Sequence, residues 1–134
     1  MSNLNYYYLQ KAIYEKLTGN SSLMAIISDV FDYPPQSAIF PFISIGNANF
    51  SEVSSLVGGI MGYLCDVNIY AREAGHKQTA DIMEIIYGLL HNGAVSISGK
   101  TLVMMRFESS SIKLQDDGWT YQGIMRLKVI LQNN

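Results

Sequence analysis

Charge is what this sequence has least of. Asp, Glu, Lys and Arg make up 15% of it, against a usual share of roughly 25%. The net charge is −2 and no two of the nine basic residues are adjacent. The chain therefore lacks the electrostatic footprint of a nucleic-acid binder, and no direct sequence-specific contact with nucleic acid is expected. The single cysteine, Cys65, excludes an internal disulfide framework and a multi-cysteine zinc site. No apolar run approaches the roughly 20 residues that span a bilayer. The opening Met1-Ser2-Asn3-Leu4-Asn5-Tyr6 lacks the basic stretch and apolar run of a signal peptide. No membrane partner is expected, and a cytoplasm-like compartment is expected before any assembly.

What is present points to contact surfaces. Apolar residues make up 49% of the 134 positions, with nine tyrosines and seven methionines. Both types are favoured where proteins meet. A chain of this length reads as one domain, residues 1–134, and buries roughly two-thirds of the surface its unfolded form exposes.

Periodicity assigns the elements. Leu9, Ala12, Ile13 and Leu17 predict a helix over 4–17, with Gly19 just past its end. Asn20 or Ser21 can cap a short second helix, 22–27. Val30 to Pro35 reads as a rigid linker because two prolines remove two donors. A strand is expected over 41–46, then a long loop or irregular excursion over 47–61 with Gly58-Gly59 inside it. Strand 62–71 places Tyr63, Cys65, Val67, Ile69 and Ala71 on one face and Asp66, Asn68 and Arg72 on the other. Residues 76–91 carry a broad apolar stripe, closed by Asn92-Gly93. Short strand 95–97, strand 101–108 and an extended piece 111–115 follow. Asp116-Asp117-Gly118 is a hairpin signal leading to a last strand, 119–131. The fold class is α+β: N-terminal helices and one long central helix packed on one face of a mainly antiparallel sheet of four to five strands.

Reactive groups do not converge. His76 and His91 lie at opposite ends of one helix, roughly 22 Å apart at 1.5 Å per residue, and cannot share a metal. His91, in the last turn, reads as a cation favoured by the helix dipole, and His76 as solvated. Cys65 sits on an apolar strand face as a small hydrophobe. The serines at 109–111 are not in a nucleophile elbow, and Gly58-Gly59 is not followed by the Lys-Ser/Thr of a phosphate loop. Asp116 and Asp117 lack the other ligands of a calcium loop. Glu73, Asp81 and Glu84 mark a helix surface. No catalytic residue, metal or cofactor is expected, and the chain reads as a non-enzyme.

The order of segments resembles the phage tail-completion proteins, the tail terminator or tail-to-head joining family. Leu9-Gln10-Lys11-Ala12-Ile13-Tyr14 looks like its opening helix, and Val30-Phe31-Asp32-Tyr33-Pro34-Pro35-Gln36 like the extended piece that follows. Phe40-Pro41-Phe42-Ile43-Ser44-Ile45-Gly46 is similar to its Phe-Pro-Tyr-Val-x-Ile-Gly strand. Val67 to Gly75 resembles its sheet-to-helix junction, followed after the helix by Leu102-Val103-Met104-Met105-Arg106-Phe107-Glu108. The stretch from Asp116 to Leu127 matches its acidic turn, aromatic strand and closing Arg.

The resemblance implies a structural subunit of a phage or prophage virion that caps the head-proximal end of the tail tube. The implied partners are further copies in a hexameric ring, the tail tube protein and a head–tail connector protein, at the tail–neck junction. The alternative is a head-side neck adaptor binding the connector or portal. A ring needs two different complementary patches per subunit. Phe50 and Glu52 in the 47–61 segment are one candidate patch. Arg72, Arg106 and Arg126 are candidate charge partners for Asp116, Asp117 or Glu52 of a neighbour.

Overall fold

The helical spacing of Leu9, Ala12, Ile13 and Leu17 produces α1, Tyr6–Thr18, which buries all four. The structure is a computed structural model and describes residues 6–54, 59–97 and 99–133. Helix α2 is the single turn Ser21–Met24. The Asn20 side chain caps it by accepting the Leu23 N–H at 2.8 Å. The expected continuation to Ile27 does not form. Instead the Ser28 N–H donates to the Pro41 carbonyl at 2.8 Å, and the Asp29 carboxylate accepts the Val30 N–H, drawing the chain to the sheet.

There a second correction applies. Val30–Phe31 is a strand, β1, pairing in parallel with Ile43 and Ser44, where a linker was expected. Pro34 and Pro35 come after the paired residues and so remove no ladder donor.

Strand β2 is Phe42–Ser54 and β3 is Ile60–Ala71, antiparallel to each other. The expected loop over 47–61 is therefore mostly strand. Asn49, Phe50, Ser51 and Glu52 pair with Leu64, Tyr63, Gly62 and Met61; residues 55–58 lie outside the described residues. An irregularity between Ile45 and Ala48 shifts the alternation by one, so no single period runs through β2. In β3 the expected inward set is buried, with Met61 added.

Helix α3, Lys77–Leu90, lies against β3, β4 and β5. Its buried face is Thr79, Ile82, Met83, Ile86 and Leu90, while Tyr87 is exposed. Asn92 takes a left-handed conformation (φ 53°), and Gly93 donates to the Leu90 carbonyl at 3.0 Å. Val95 and Ile97 pack on the core without forming the expected short strand. The two pieces expected at 101–108 and 111–115 are one strand, β4, Lys100–Leu114, bent by irregularities after Leu102 and Phe107. Strand β5 is Tyr121–Asn133, so Trp119 precedes the strand.

The sheet order is β1-β2-β3-β5-β4, antiparallel except at β1. Met125, Leu127, Val129 and Leu131 of β5 join the β3 set and the helices in one core. Gly123 lets α3 approach: a Cβ there would meet Met83 Sδ at 2.8 Å and Thr79 Cγ2 at 3.0 Å. The Thr79 hydroxyl is fully buried and has no hydrogen-bond partner among the described residues. An unpaired buried hydroxyl carries its desolvation cost. Thr79→Val, which keeps the shape, is expected to raise unfolding free energy by about 1 kcal/mol in chemical denaturation.

Candidate assembly surfaces

The β4–β5 turn is built around Asp117. Its carboxylate accepts the N–H groups of Trp119 and Thr120 at 2.9 and 2.8 Å and the Thr120 hydroxyl at 2.6 Å. Gly118 takes the positive φ of 70° that the turn requires. These hydrogen bonds, the Thr120 hydroxyl first, and then the charge of Arg72 pull the Asp117 carboxyl down to about 2. The Arg72 Nε donates to the Thr120 hydroxyl at 3.0 Å, and its guanidinium lies 4.0 Å from the ring centres of both Phe40 and Trp119. A cation held between two rings is rigid and presents the rings' outer surfaces. Phe40 also tilts against Phe42, which stacks on Tyr70 at 5.1 Å. Trp119 (58%), Ile39 (72%) and Tyr33 (91%) are exposed, residue types of the kind found at the centre of interfaces.

Asp117 ionisation favours the folded turn. Its unfolded value is 3.8, so that contribution is complete above about pH 4 and disappears as the pH falls through about 2. Trp119 is the only tryptophan. Its fluorescence is expected to change between about pH 4 and 2 in the wild type, with a reduced change in Asp117→Asn. Identical acid profiles in the two proteins would contradict this role.

The seven candidate contact residues do not form one cluster. Arg72 and Asp117 come together, joined through Thr120 within one chain, with exposed Asp116 beside them. Arg126 pairs with Asp66 at 3.2 Å on the face away from the helices, half-exposed. Arg106 is exposed on β4 opposite Lys128. Phe50 and Glu52 lie on β2 near its far end. Phe50 stacks on Tyr6 of α1 with ring centres 5.6 Å apart. Sequence reasoning missed the rings around Arg72 because Phe40, Arg72 and Trp119 are far apart in the chain. Tyrosine and phenylalanine density was the available signal.

A groove of about 340 Å³ runs between α1 and the β1 edge, lined by Tyr7, Gln10, Tyr14, Asp32 and Ile45 among others. Gln10 donates to Asp32 across it at 2.6 Å. Lys11 and Glu15, both exposed, complete its lining. Among the described residues, no group of three His, Cys, Asp or Glu side chains is placed to hold a metal, and no helix is long and apolar enough to cross a membrane.

Cys65 is buried. Burial, and then Asp66, push its thiol up to about 12, so it is not a thiolate at neutral pH. The His91 Nδ1 accepts the Phe107 N–H at 3.1 Å and its ring stacks on Tyr87, so it serves as an acceptor at the sheet edge. His76 lies edge-on to Tyr121.

A five-stranded, mainly antiparallel sheet with helices packed against it and with exposed aromatic side chains places the chain in the α+β class. Within that class, the sequence matches the model of tail completion protein gp17 over residues 11–132. The chain therefore belongs to the tail completion protein gp17 family, whose members are structural virion proteins and not enzymes.

Solved structures share the fold, among them the following two. One is a chain of the virion of a native gene transfer agent particle, with TM-score 0.89 and 16% identity, covering 98% of this chain and 100% of that one. The other is bacteriophage SPP1 gp17, with TM-score 0.66 and 22% identity, covering 96% of this chain and 91% of that one. A comparison with curated proteins finds no match.

Proposed function

We propose that residues 1–134 form one tail-completion domain that caps the head-proximal end of the tail tube as a subunit of a ring, with six copies the expected number. The ring ends tube growth and offers a surface on which the head docks. Its partners in this reading are further copies of the chain, the tail tube protein and a head–tail connector protein. Its place is the tail–neck junction, reached from the host bacterial cytoplasm. The observation that carries the reading is the family match over nearly the whole chain.

The surfaces support it. The Phe40–Arg72–Trp119 stack, with Trp119 exposed, is an aromatic feature of the surface, and the long strands leave backbone edges for lateral contact. Asp117 is used inside its own chain, so Asp116, Glu52 and Arg106 are better placed to meet a neighbour's charges. The alternative, a head-side neck adaptor, differs in its partner. Pull-down with immobilised tube protein and, separately, with connector protein distinguishes the two. Retention by the tube protein is the expected result. Retention by the connector alone would overturn the tube-cap reading in favour of the adaptor.

A further inference from the structure

The sheet has two long edges whose backbone groups can be assigned from its own hydrogen bonds. Asn133 N–H donates to the Gly59 carbonyl, so odd-numbered residues of β5 bond towards β3 and even-numbered ones towards β4. Arg126, Ile124 and Gln122 pair with Ser109, Ser111 and Lys113. The N–H and C=O groups of Ser110, Ile112 and Leu114 therefore point outwards. The β4–β5 register is continuous over this stretch.

The same alternation carried through β3 makes Asn49 and Ser51 bond inwards to Leu64 and Gly62, leaving Ala48, Phe50 and Glu52 pointing outwards. The outward Ile43 N–H, which donates to the Asp29 carbonyl, agrees with this assignment. Strand β1 covers β2 only at Ile43 and Ser44. The α3 terminus covers β4 only near Met105 and Phe107, through Asn92 and His91.

Monomeric proteins blunt such edges with proline, charge or a covering segment. Here residues 48–52 and 110–114 contain no proline and one charge each, Glu52 and Lys113, of opposite sign. We propose that consecutive subunits of the ring join by strand addition, with Ser110, Ile112 and Leu114 of β4 pairing antiparallel with Ala48, Phe50 and Glu52 of β2 in the next copy. This rests on the ring reading above and names the contact that builds it.

Two features of the fold fit that contact to a ring. First, β2 and β4 run in opposite directions, because three antiparallel steps separate them. A rotation about the ring axis preserves the axial component of a strand's direction, so with the strands inclined along that axis β4 of one copy beside β2 of the next is antiparallel, like the rest of the sheet. Second, both outward sets carry their side chains on the same face. Ile112 is opposite Gly123, which faces Thr79 and Met83 of α3, and Phe50 is opposite Tyr63 and stacks on Tyr6 of α1. Pairing the two edges therefore continues one sheet with every copy's helices on the same side, as rotational symmetry demands. Opposite each other, Phe50 and Ile112 would form an apolar cross-strand pair.

The test joins the two edges covalently. Glu52 and Ser110 are exposed, and on one chain they lie roughly 14 Å apart or more across two intervening strands. Buried Cys65 does not compete for reagent. The double variant Glu52→Cys/Ser110→Cys is treated with a short bifunctional maleimide, in solution and with purified tail tubes, and its oligomer mass is read by light scattering before denaturing electrophoresis. A ladder of covalent multimers up to the ring, absent from both single variants, is the expected result.

A ring of full mass without a ladder overturns the edge pairing but leaves the ring reading standing. Monomers in both settings overturn both. Covalent dimers from Ser110→Cys alone would show β4 pairing with itself and overturn the head-to-tail contact. As a second arm, Ser110→Pro removes one outward donor and no inward one. It is expected to keep the wild-type circular dichroism and at least halve the ring fraction at a fixed concentration. An unchanged ring fraction in a folded Ser110→Pro protein overturns the proposal.

Discussion

Gly93→Ala is expected to lower the unfolding free energy by about 2–3 kcal/mol and to make the protein aggregate at concentrations the wild type tolerates. A Cβ at this position would sit 2.4 Å from the Leu89 carbonyl oxygen and 3.2 Å from Leu90 Cα. Both are backbone atoms of the last helical turn, so no side chain can swing aside to relieve the contact. Either α3 loses its last turn or the 91–93 segment moves off it.

That segment also covers the edge of β4. Asn92 donates to the Met105 carbonyl at 2.8 Å, and His91 accepts from Phe107 at 3.1 Å. Displacing it uncovers two further backbone groups on a strand that is already long. Chemical denaturation measures the first effect, and light scattering at rising concentration the second. A wild-type denaturation midpoint for Gly93→Ala would contradict the account of this junction.

Leu127→Ala is expected to cost about 3–4 kcal/mol. Leu127 is fully buried and lies between Cys65 on β3 and Phe107 on β4. Its carbonyl also accepts the Cys65 S–H at 3.9 Å. The strands on both sides are held by backbone ladders, so they cannot close around the lost side chain. The cavity term therefore adds to the transfer term. Val103→Ala on the exposed side of β4 is the control. Val103 is 54% exposed, and its loss is expected to change stability by less than about 0.5 kcal/mol. Similar costs for the two would mean that the core does not lie between β5 and the helices.

The physical origin of each feature decided how much of it the sequence revealed. Helices α1 and α3 were legible because one face of each is buried, and the apolar residues recur at that face's period. Strand β3 was legible for the same reason, at period two. The far half of β2 was not. Asn47, Asn49 and Ser51 are exposed, Phe50 is partly covered by a residue of α1, and the irregularity after Ile45 changes which residues face inwards. A strand held by backbone pairing at a sheet edge leaves little trace in its side chains. The triple serine divided β4 into two expected pieces for the same reason. Strand β1 has two residues and exists only because β2 lies beside it.

The site was legible in the sequence as the Asp116-Asp117-Gly118 turn. That Arg72 would find Phe40 and Trp119 depended on the register of β3 against β5, which places Ala71 opposite Tyr121. No local pattern encodes that register. The expected use of Asp117 as a neighbour's charge partner met a similar limit, since its nearest donors, Trp119 and Thr120, become partners only once the turn has closed.

In the proposed function, copies of this chain close into a ring at one end of a tail tube. Electron microscopy of purified tail tubes saturated with the protein tests it directly. The account predicts one ring per tube, six-fold in projection, at a single end, and no further tube growth when tube protein is added. Protein distributed along the tube wall, or tubes that elongate at the usual rate from the occupied end, would contradict it.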